Sequence, residues 1–352
     1  MAKKPAPSRR PPTLQNVATL AGVSLMTASR VVNRSAYVSE AATSAVEKAV
    51  QELGYVLNST AQLLAGGGTR TIALVHSDSM TSAYLGELLL GALAEAAARH
   101  IHLTVEQYVQ GRPSAWLVNQ IVDGRAAGVI LPPPLCDWQE LVEGLLAENI
   151  AVVAITPDRY TDGVTAVSVD DRQASYEITK HLVDMGHRRI GFIQGNLQHR
   201  GSSRRLEGFL QGLSENGIHP GEELIVPGDF SYRSGLLAAE RLLSLPTVPT
   251  AILACNDDMA AAAVTIAHQR KIDVPGELSI CGFDDAPLAS SIWPALTTIR
   301  LPVREMSTKA IRALCQELEQ GGKASESNSR HVSLQLDYRL IRRQSDARPP
   351  KR

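Results

Sequence analysis

The sequence lacks paired cysteines, a membrane-spanning run and an export signal. No apolar stretch approaches the roughly 18 residues that cross a bilayer, and the basic opening MAKKPAPSRR is not followed by the apolar core of a secretory signal. The cysteines are scattered, with no CxxC pair and no histidine cluster nearby, which predicts reduced thiols. They are Cys136, Cys255, Cys281 and Cys315. We therefore expect a cytoplasmic protein with no membrane contact, no metal and no cofactor.

The short motifs of common catalytic sites are also missing. The chain contains no GxSxG elbow, no P-loop, no HExxH zinc motif, no GxGxxG fingerprint opening a βαβ unit and no Cys-His pairing. Each of these motifs supplies a nucleophile, a phosphate cradle, metal ligands or a dinucleotide site. We therefore expect a protein that is not an enzyme.

Charge is unevenly distributed along the chain. The 352 residues are 44% hydrophobic and 20% charged, with a net charge of -1, which is the composition of a soluble globular protein of two or three domains. Residues 1–70 hold eight lysines and arginines against three acidic residues, a balance of +5, whereas the remainder holds 27 against 33, a balance of -6. Because phosphate contacts need local positive charge, only the basic head is expected to meet a polyanion.

Residues 13–57 predict three short helices. The first helix is capped by Thr13 and ends at Gly22, and a second helix capped by Ser24 runs to about Asn33 before the third begins. Two helices joined by a glycine turn have helix-turn-helix spacing, in which the outer face of the second helix can reach base edges. An ordinary αα-hairpin has the same spacing, so the pattern alone leaves both interpretations open.

The segments on either side of these helices have a different composition. Residues 1–12 are basic and rich in proline, which predicts a flexible arm. Residues 58–68 predict a hinge helix and a linker that ends in three glycines. A helix this short is marginal in water when isolated.

From residue 69 to about residue 345, short β-branched runs alternate with longer helical patterns. This alternation predicts parallel sheets covered by helices on both faces, divided near residues 156–170 into two lobes that face each other across a cleft. The expected strands lie near residues 71–75, 103–108, 127–131, 151–155, 189–193, 251–255 and 278–282. The expected helices lie near residues 85–99, 115–123, 137–148, 172–185, 203–215, 232–244 and 257–269.

The segment LQNVATLAGVSLMTASRVVN, followed by VSEAATSAVEKAVQELGY and NSTAQLLAGG, closely resembles the DNA-binding head and hinge of the lactose repressor and galactose repressor family. The resemblance implies a homodimer that binds a pseudo-palindromic operator in double-stranded DNA. It implies that Leu25, Met26 and Arg30 read the major groove. Phosphates would be held by Thr13, Ser24, Thr27 and Asn33, and further DNA contacts are expected from Leu14 and Tyr37.

The reading helix and the hinge each leave a question open. Most family members carry a polar or aromatic pair where this chain has Leu25 and Met26, and apolar side chains can touch a thymine methyl but cannot make bidentate hydrogen bonds. The operator sequence is therefore not predicted. In this family the hinge folds on DNA, and Leu64 matches the leucine that wedges between base steps in the minor groove, with Asn58 and Ala61 as neighbouring contacts. An ordinary linker leucine is the alternative for Leu64.

The resemblance continues at lower density to about residue 343 and implies a fold like that of periplasmic sugar-binding proteins. Because the lobes of that fold exchange strands, the first lobe is expected to contain residues 69–165 and 300–328, and the second lobe residues 166–299 and 329–343. Residues 344–352 would form a tail. That tail carries no leucine heptad of the kind that joins dimers into tetramers, so we expect a dimer.

Four segments carry the expected effector residues. SSRRLEGF matches, in Arg205, the family arginine that forks onto sugar hydroxyls, with Arg204 as a competitor. AILACNDDMA and CGFDDAP place Asn256 and Asp284 just past apolar strands, where a ligand would lie. Phe230 in PGDFS matches a family aromatic residue that packs against a pyranose.

Each candidate also has a structural alternative. Asp257 and Asp285 are placed to cap the helices that follow them, and a lone phenylalanine is usually a core residue. Trp293 would either line the mouth of the cleft or close the edge of a lobe. In the first lobe, His76 and Tyr84 follow the first strand, where the family contacts its ligand, although this sequence departs from the common pattern there.

Together these features predict a repressor of carbohydrate-utilisation genes whose operator affinity is changed by a small sugar in the cleft. The alternative is a regulator of the same fold controlled by a non-sugar ligand or by a co-regulatory protein. A sugar-binding protein or an enzyme is a weaker alternative, and retardation of operator DNA would separate a regulator from both.

Overall fold

The computed structural model describes residues 12–32, 38–53, 70–78, 80–196, 198–319 and 332–350. The chain forms two compact units, Met1–Thr69 and Arg70–Arg352, and each is described by itself. The predicted arm, apart from Pro12, and the predicted hinge and linker lie outside the described residues. Within the described ranges, no helix is both long enough and apolar enough to cross a membrane.

The smaller unit contains the three predicted helices, α1 (Leu14–Ala21), α2 (Leu25–Val32) and α3 (Glu40–Leu53). Thr13 begins α1 through a capping box: its hydroxyl accepts the Asn16 backbone N–H at 3.3 Å, and the Asn16 side-chain oxygen accepts the Thr13 backbone N–H at 2.9 Å. Gly22 ends α1 with φ +66°, where glycine has no Cβ to clash. The Ser24 hydroxyl accepts the Thr27 backbone N–H at 3.1 Å and begins α2. The predicted caps are confirmed.

The core of the smaller unit is made of small side chains. Its fully buried members are Val17, Ala18, Ala28, Val46 and Ala49. Because these side chains are short, the three helices pack closely, and larger residues remain on the outer faces.

The larger unit alternates strands and helices. In chain order these are β1 (Thr71–Ser77), α4 (Ser82–Ala98), β2 (His102–Tyr108), α5 (Ser114–Asp123), β3 (Ala126–Leu131), α6 (Gln139–Ala147), β4 (Ala151–Ile155), β5 (Val164–Ser168), α7 (Asp171–Asp184), β6 (Ile190–Gln194), α8 (Arg200–Ser214), β7 (Ile225–Pro227), α9 (Tyr232–Leu243), β8 (Ala251–Ala254), α10 (Asp257–Gln269), β9 (Ser279–Cys281), α11 (Pro287–Ser291), β10 (Thr298–Arg300), α12 (Val303–Glu319), β11 (Ser333–Gln335) and β12 (Arg339–Ile341). Two 3-10 turns, Leu135–Asp137 and Glu222–Leu224, lie between them.

Two parallel sheets give this unit its two lobes. The first-lobe sheet has six strands in the order β11-β5-β4-β3-β1-β2, and the second-lobe sheet has four in the order β7-β6-β8-β9. A small antiparallel pair, β10 and β12, completes the strands. Strands covered on both faces are expected to be almost wholly apolar, and all five residues of β4, AVVAI, are buried. The predicted two-lobed α/β fold is confirmed.

The predicted lobe boundaries and tail are wrong in detail. Strand β5 belongs to the first-lobe sheet, so the chain leaves that lobe after Ser168, and β11 pairs with β5 rather than lying in the second lobe. Residues 344–350 are not a free tail, because the Ser345 carbonyl accepts the Ile280 backbone N–H at 2.8 Å and the Ser345 side chain is fully buried. Both segments add to strands that lie far from them in the sequence.

Two glycines allow the helix crossings that position the cleft. A Cβ on Gly208 of α8 would lie 2.0 Å from the carbonyl oxygen of Arg172 in α7. A Cβ on Gly91 of α4 would lie 2.1 Å from the carbonyl oxygen of Arg304 in α12. Backbones this close require glycine, so α8 is held against the start of α7, and α12 is held against α4 of the first lobe.

Candidate functional site

The outer face of α2 is the candidate DNA-reading surface of the smaller unit. Leu25 and Met26 are 47% and 64% exposed, and Arg30 is exposed one turn after Met26. The Ser24 and Thr27 hydroxyls lie 2.8 Å apart at the start of the same helix. The face therefore offers two apolar side chains, one guanidinium and two hydroxyls, a set that suits thymine methyl groups, base edges and phosphates.

Of the other predicted DNA contacts, only Thr13 and Leu14 lie among the described residues. Thr13 is exposed and caps α1, whereas Leu14 is half-buried against the core of the smaller unit. The remaining five lie outside the described residues: Asn33, Tyr37, Asn58, Ala61 and Leu64.

A cavity between the lobes of the larger unit is the candidate effector site. It contains about 650 Å³ of empty space, including its opening to solvent. Five of the predicted effector residues line it: Tyr84, Arg205, Phe230, Asn256 and Asp284. Tyr84 comes from α4 of the first lobe, and the other four come from the second lobe, on α8 or on segments that follow its strands.

Arg205 is the centre of a buried charge cluster. Its Nε donates to Asp171 Oδ1 at 2.8 Å, its Nη1 donates to the Cys255 carbonyl, and Nη1 lies 3.4 Å from Asp284 Oδ1. The guanidinium also lies 3.9 Å from the centroid of the Phe283 ring. Burial opposes the charge, but the two carboxylates outweigh it and raise the pKa of Arg205. Arg205 is therefore a fixed cation.

One oxygen of the Asp284 carboxylate accepts no hydrogen bond within the described part of the protein. Its Oδ1 is buried and accepts no hydrogen bond from any described residue. Burial raises the pKa of Asp284 to about 7, against the opposing effect of Arg205. A buried acceptor without a donor costs free energy, so a ligand hydroxyl at this position would be strongly stabilised.

Three residues that line the cavity have left-handed backbones. Thr156 has φ +46°, Phe230 has φ +73° and Asp284 has φ +102°. Side chains other than glycine adopt this region at a cost, and such residues cluster at binding and active sites. Strained backbone therefore lines the cavity on both sides, at Thr156 in the first lobe and at Phe230 and Asp284 in the second.

Asn256 and Phe230 hold each other in place. Asn256 Nδ2 donates to the Phe230 carbonyl at 2.8 Å, and Asn256 Oδ1 accepts the Met259 backbone N–H at 3.0 Å, which caps α10. Both ends of the amide are therefore engaged within the protein. Asn256 positions the Phe230 loop, and the Phe230 ring meets the His199 ring edge-on at 5.3 Å between centroids.

Two further lining groups are neutral near pH 7. Burial, followed by the charges of Asp284 and Asp171, raises the pKa of Tyr84 far above its usual value. Burial, helped by the positive charge of Arg205, lowers the pKa of His199 to about 4. The cavity therefore presents a phenol and an uncharged imidazole beside its charge cluster.

Two predicted effector residues are not among those that line the cavity. His76 stays on β1, and Trp293 is 75% exposed on the surface. Arg204, the competitor of Arg205, is not among the residues that line the cavity and instead pairs with Asp158 at 3.1 Å. The choice of Arg205 as the cavity arginine thus agrees with the geometry.

Asp257 and Asp285, the two acidic residues considered as helix caps, do not cap the helices that follow them. Asp257 accepts the Thr298 hydroxyl at 2.6 Å, and the cap of α10 belongs to Asn256. Asp285 pairs with two arginines, each at 2.6 Å. Both carboxylates therefore tie the second lobe to the crossing segments beside it.

Sequence reasoning missed Asp171 and most of the apolar lining. Asp171 follows β5, which lies within residues 156–170, where the sequence predicted the division between the lobes rather than a strand. Had β5 been recognised, its carboxyl end would have pointed to Asp171. The apolar lining includes Val169, Leu301 and Met306, which lie in crossing segments and in α12, where the sequence predicted no element.

Known proteins share both units of the chain. Residues 13–58 match the profile described as bacterial regulatory proteins of the lacI family, and residues 179–345 match a periplasmic binding protein-like domain. The HTH-type transcriptional regulator GalR of Escherichia coli is 33% identical over 303 residues, covering 85% of this chain and 87% of that protein. Catabolite control protein A of Priestia megaterium is 30% identical over 335 residues, covering 95% and 98%.

Solved structures share the architecture. The lac repressor dimer bound to operator and the anti-inducer ONPF is 28% identical, with a TM-score of 0.81 over 96% of this chain and 100% of that chain. The complex of the transcriptional regulator CelR with cellobiose is 29% identical, with a TM-score of 0.71 over 95% and 99%. GalR and CelR are both named as transcriptional regulators.

Proposed function

Because the chain belongs to the lacI family of bacterial regulatory proteins, we propose that it is a repressor of carbohydrate-utilisation genes. We propose further that a small neutral sugar, bound between its lobes, changes its affinity for the operator. DNA binding and transcriptional regulation come with the family. The repressor acts as a homodimer on a pseudo-palindromic operator, in the cytoplasm where its DNA target lies. Leu25, Met26 and Arg30 read the major groove.

The observation that carries the sugar proposal is the Arg205, Asp171 and Asp284 cluster. Asp284 Oδ1 is buried without a hydrogen-bond donor among the described residues, and a carboxylate accepts from hydroxyls. The Arg205 guanidinium lies 3.4 Å from this oxygen, and a guanidinium is a hydrogen-bond donor to oxygen. A molecule with adjacent hydroxyl groups satisfies both, because each hydroxyl can donate and accept.

The charge balance of the cluster favours a neutral ligand. One guanidinium faces two carboxylates at 2.8 and 3.4 Å, so its positive charge is already compensated within the protein. A phosphate or carboxylate on the ligand would add negative charge beside Asp284 in a buried site. We therefore propose an unphosphorylated sugar rather than a sugar phosphate or a sugar acid.

Apolar lining on several sides of the cavity supports the same ligand. Val169, Leu301, Met306 and the ring of Phe230 contact the empty space. Such side chains pack against the C–H faces of a sugar ring, while the few polar groups fix its orientation. CelR, whose solved structure holds cellobiose, is a relative of similar architecture.

A thermal-shift screen tests the ligand. Neutral mono- and disaccharides are compared with the matching phosphates and uronic acids, because a ligand specific for the folded state raises its stability by mass action. We expect a shift from a neutral sugar, no shift from its phosphate, and loss of the shift in Asp284→Asn. A response to the phosphate alone would contradict the proposal.

A gel-shift assay with promoter DNA tests whether the protein is a DNA-binding regulator. The promoter region of the protein's own gene is used, at low salt because phosphate contacts weaken as salt rises. We expect a specific complex whose affinity changes when the sugar from the screen is added. DNA binding that ignores every sugar would instead favour control by a co-regulatory protein.

A further inference from the structure

Two ion pairs cross the cleft beside the cavity. Asp158 lies in the first lobe, in the loop after β4, and Arg200 and Arg204 lie one turn apart on α8 of the second lobe. Arg200 Nη2 is 2.7 Å from Asp158 Oδ2, and Arg204 Nη2 is 3.1 Å from Asp158 Oδ1. Each oxygen of one first-lobe carboxylate therefore binds a guanidinium of the second lobe.

Asp158 is held firmly at this position. Its backbone N–H donates to Asp137 Oδ1 at 2.7 Å, and its side chain is only 12% exposed. An isolated ion pair on the surface contributes little. Here two cations share one largely buried acceptor on an anchored loop, which reduces screening and the entropy lost on pairing.

The ion pairs border the effector cavity directly. Thr156, Val169, Asp171 and Gly201 line both the cavity and the space around the ion pairs. Gly201 follows Arg200 in the chain, so a movement of α8 that breaks the Arg200 contact also moves the wall of the cavity. Separating the lobes at this edge therefore widens the opening of the cavity to solvent.

We propose that Asp158, Arg200 and Arg204 form an interlobe clasp that holds the lobes together and sets how often the cavity opens. The clasp stabilises the closed arrangement before any effector binds, so it shifts the balance between open and closed protein. This inference goes beyond the proposed function, because closure can be measured without an effector. Its failure would leave the sugar proposal untouched.

A cysteine placed inside the cavity reports its opening. Met306 lines the cavity and is 1% exposed, so Met306→Cys supplies a buried thiol that a maleimide reaches only when the lobes separate. The four native cysteines are buried, and the chain without Met306→Cys measures their background reaction. The readout is the rate of maleimide modification in the full-length protein.

Breaking the clasp should speed this modification. In the Met306→Cys chain, Asp158→Asn is expected to raise the rate about two- to tenfold, the range given by one or two ion pairs of this kind. Salt at about 0.5 M should accelerate the parent chain by screening but should leave Asp158→Asn nearly unchanged. Both effects follow only if the carboxylate charge holds the lobes together.

A mutant cycle separates the clasp from unrelated effects. Arg200→Gln with Arg204→Gln should match Asp158→Asn, and combining all three changes should give no further acceleration. Asp184→Asn is the matched control, because it removes the same charge from an exposed pair with Lys180 within α7; its rate should equal that of the parent. Three results would overturn the proposal. The modification rate could be unchanged in Asp158→Asn, or the rate increases of Asp158→Asn and of the double arginine variant could multiply when combined. The third is a rate increase that merely follows a lowered melting temperature.

Discussion

Arg205 Nη1 lies 3.4 Å from Asp284 Oδ1, yet this oxygen accepts no hydrogen bond from the described residues. The two groups are close enough to attract each other but not aligned to bond. The carboxylate therefore retains acceptor capacity in a buried place, where a donor from a ligand has the largest effect. Asp284 is the residue on which the ligand proposal depends most.

Effector affinity should rise with pH across neutrality. Burial raises the pKa of Asp284 to about 7, and a sugar hydroxyl donates to the ionised carboxylate, so binding is lost as pH falls through this value. A single titrating group predicts about tenfold weaker binding at about pH 6 than at about pH 8. Calorimetry with the sugar from the screen measures this. Asp284→Asn should bind weakly with no such slope, and a slope that survives in Asp284→Asn would point to another group.

The stability of the protein without effector should depend on pH in the opposite direction. The pKa of Asp284 is raised in the folded state, so its contribution to stability is fully present below the usual carboxyl pKa and is lost as pH rises through about 7. Comparing urea unfolding of the parent and Asp284→Asn at several pH values isolates this contribution.

Gly208→Ala should destabilise the second lobe and weaken effector binding. The added Cβ would lie 2.0 Å from the Arg172 carbonyl oxygen, so α7 and α8 must move apart and carry Asp171 away from Arg205. Overpacking of this kind typically costs about 1–3 kcal/mol, measurable by urea unfolding. Gly86→Ala is the control, because nothing lies within 4 Å of its added Cβ in α4; it should be neutral or slightly stabilising. Equal losses in the two variants would contradict the explanation.

Leu25→Ala and Met26→Ala should weaken operator binding and leave non-specific binding nearly intact. Both side chains are exposed on α2 and carry no charge, so they contribute through base contacts rather than through phosphates. Losing the burial of such an apolar side chain costs up to about 1.5–3 kcal/mol, and a gel-shift comparison of operator DNA with scrambled DNA would resolve this loss. Leu20→Ala is the control, since Leu20 is 47% exposed on α1. A similar loss for Leu20→Ala would remove the case for α2.

Ser345→Ala should destabilise the larger unit although it lies close to the end of the chain. The buried Ser345 hydroxyl donates to the Ile280 carbonyl at 2.5 Å and accepts the Thr297 backbone N–H at 2.8 Å. Removing it leaves both backbone groups unpaired, which typically costs about 1–3 kcal/mol. Thermal unfolding measures the loss, with exposed Ser290→Ala as the control. A free tail would give no difference between the two variants.

The long periodic elements could be predicted from the sequence because their pattern is local. The caps at Thr13, Gly22 and Ser24 depend on residues within a few positions, and each of the seven predicted strand runs spans five or six residues. Strands β10, β11 and β12 have only three residues each and lie outside those predicted runs. Their pairing partners lie far away in the chain, so only the folded sheet identifies them.

The candidate site shows the same division. Arg205, Asp284 and Phe230 could be proposed because they stand in recognisable segments, and all three line the cavity. Asp171 could not, because its place beside Arg205 depends on β5 joining the first-lobe sheet. Trp293 was a candidate by residue type alone, and the fold leaves it on the surface.

The sequence by itself determined the helix-turn-helix unit, the two-lobed α/β architecture and the family, since these follow from local periodicity, caps and motif spacing. Only the tertiary structure decided which carboxylates meet Arg205, which arginines of α8 face the first lobe, and that residues 344–350 are part of the second lobe. The physical reason is distance along the chain: charge pairing, helix crossing and strand addition join residues that no sequence window contains together.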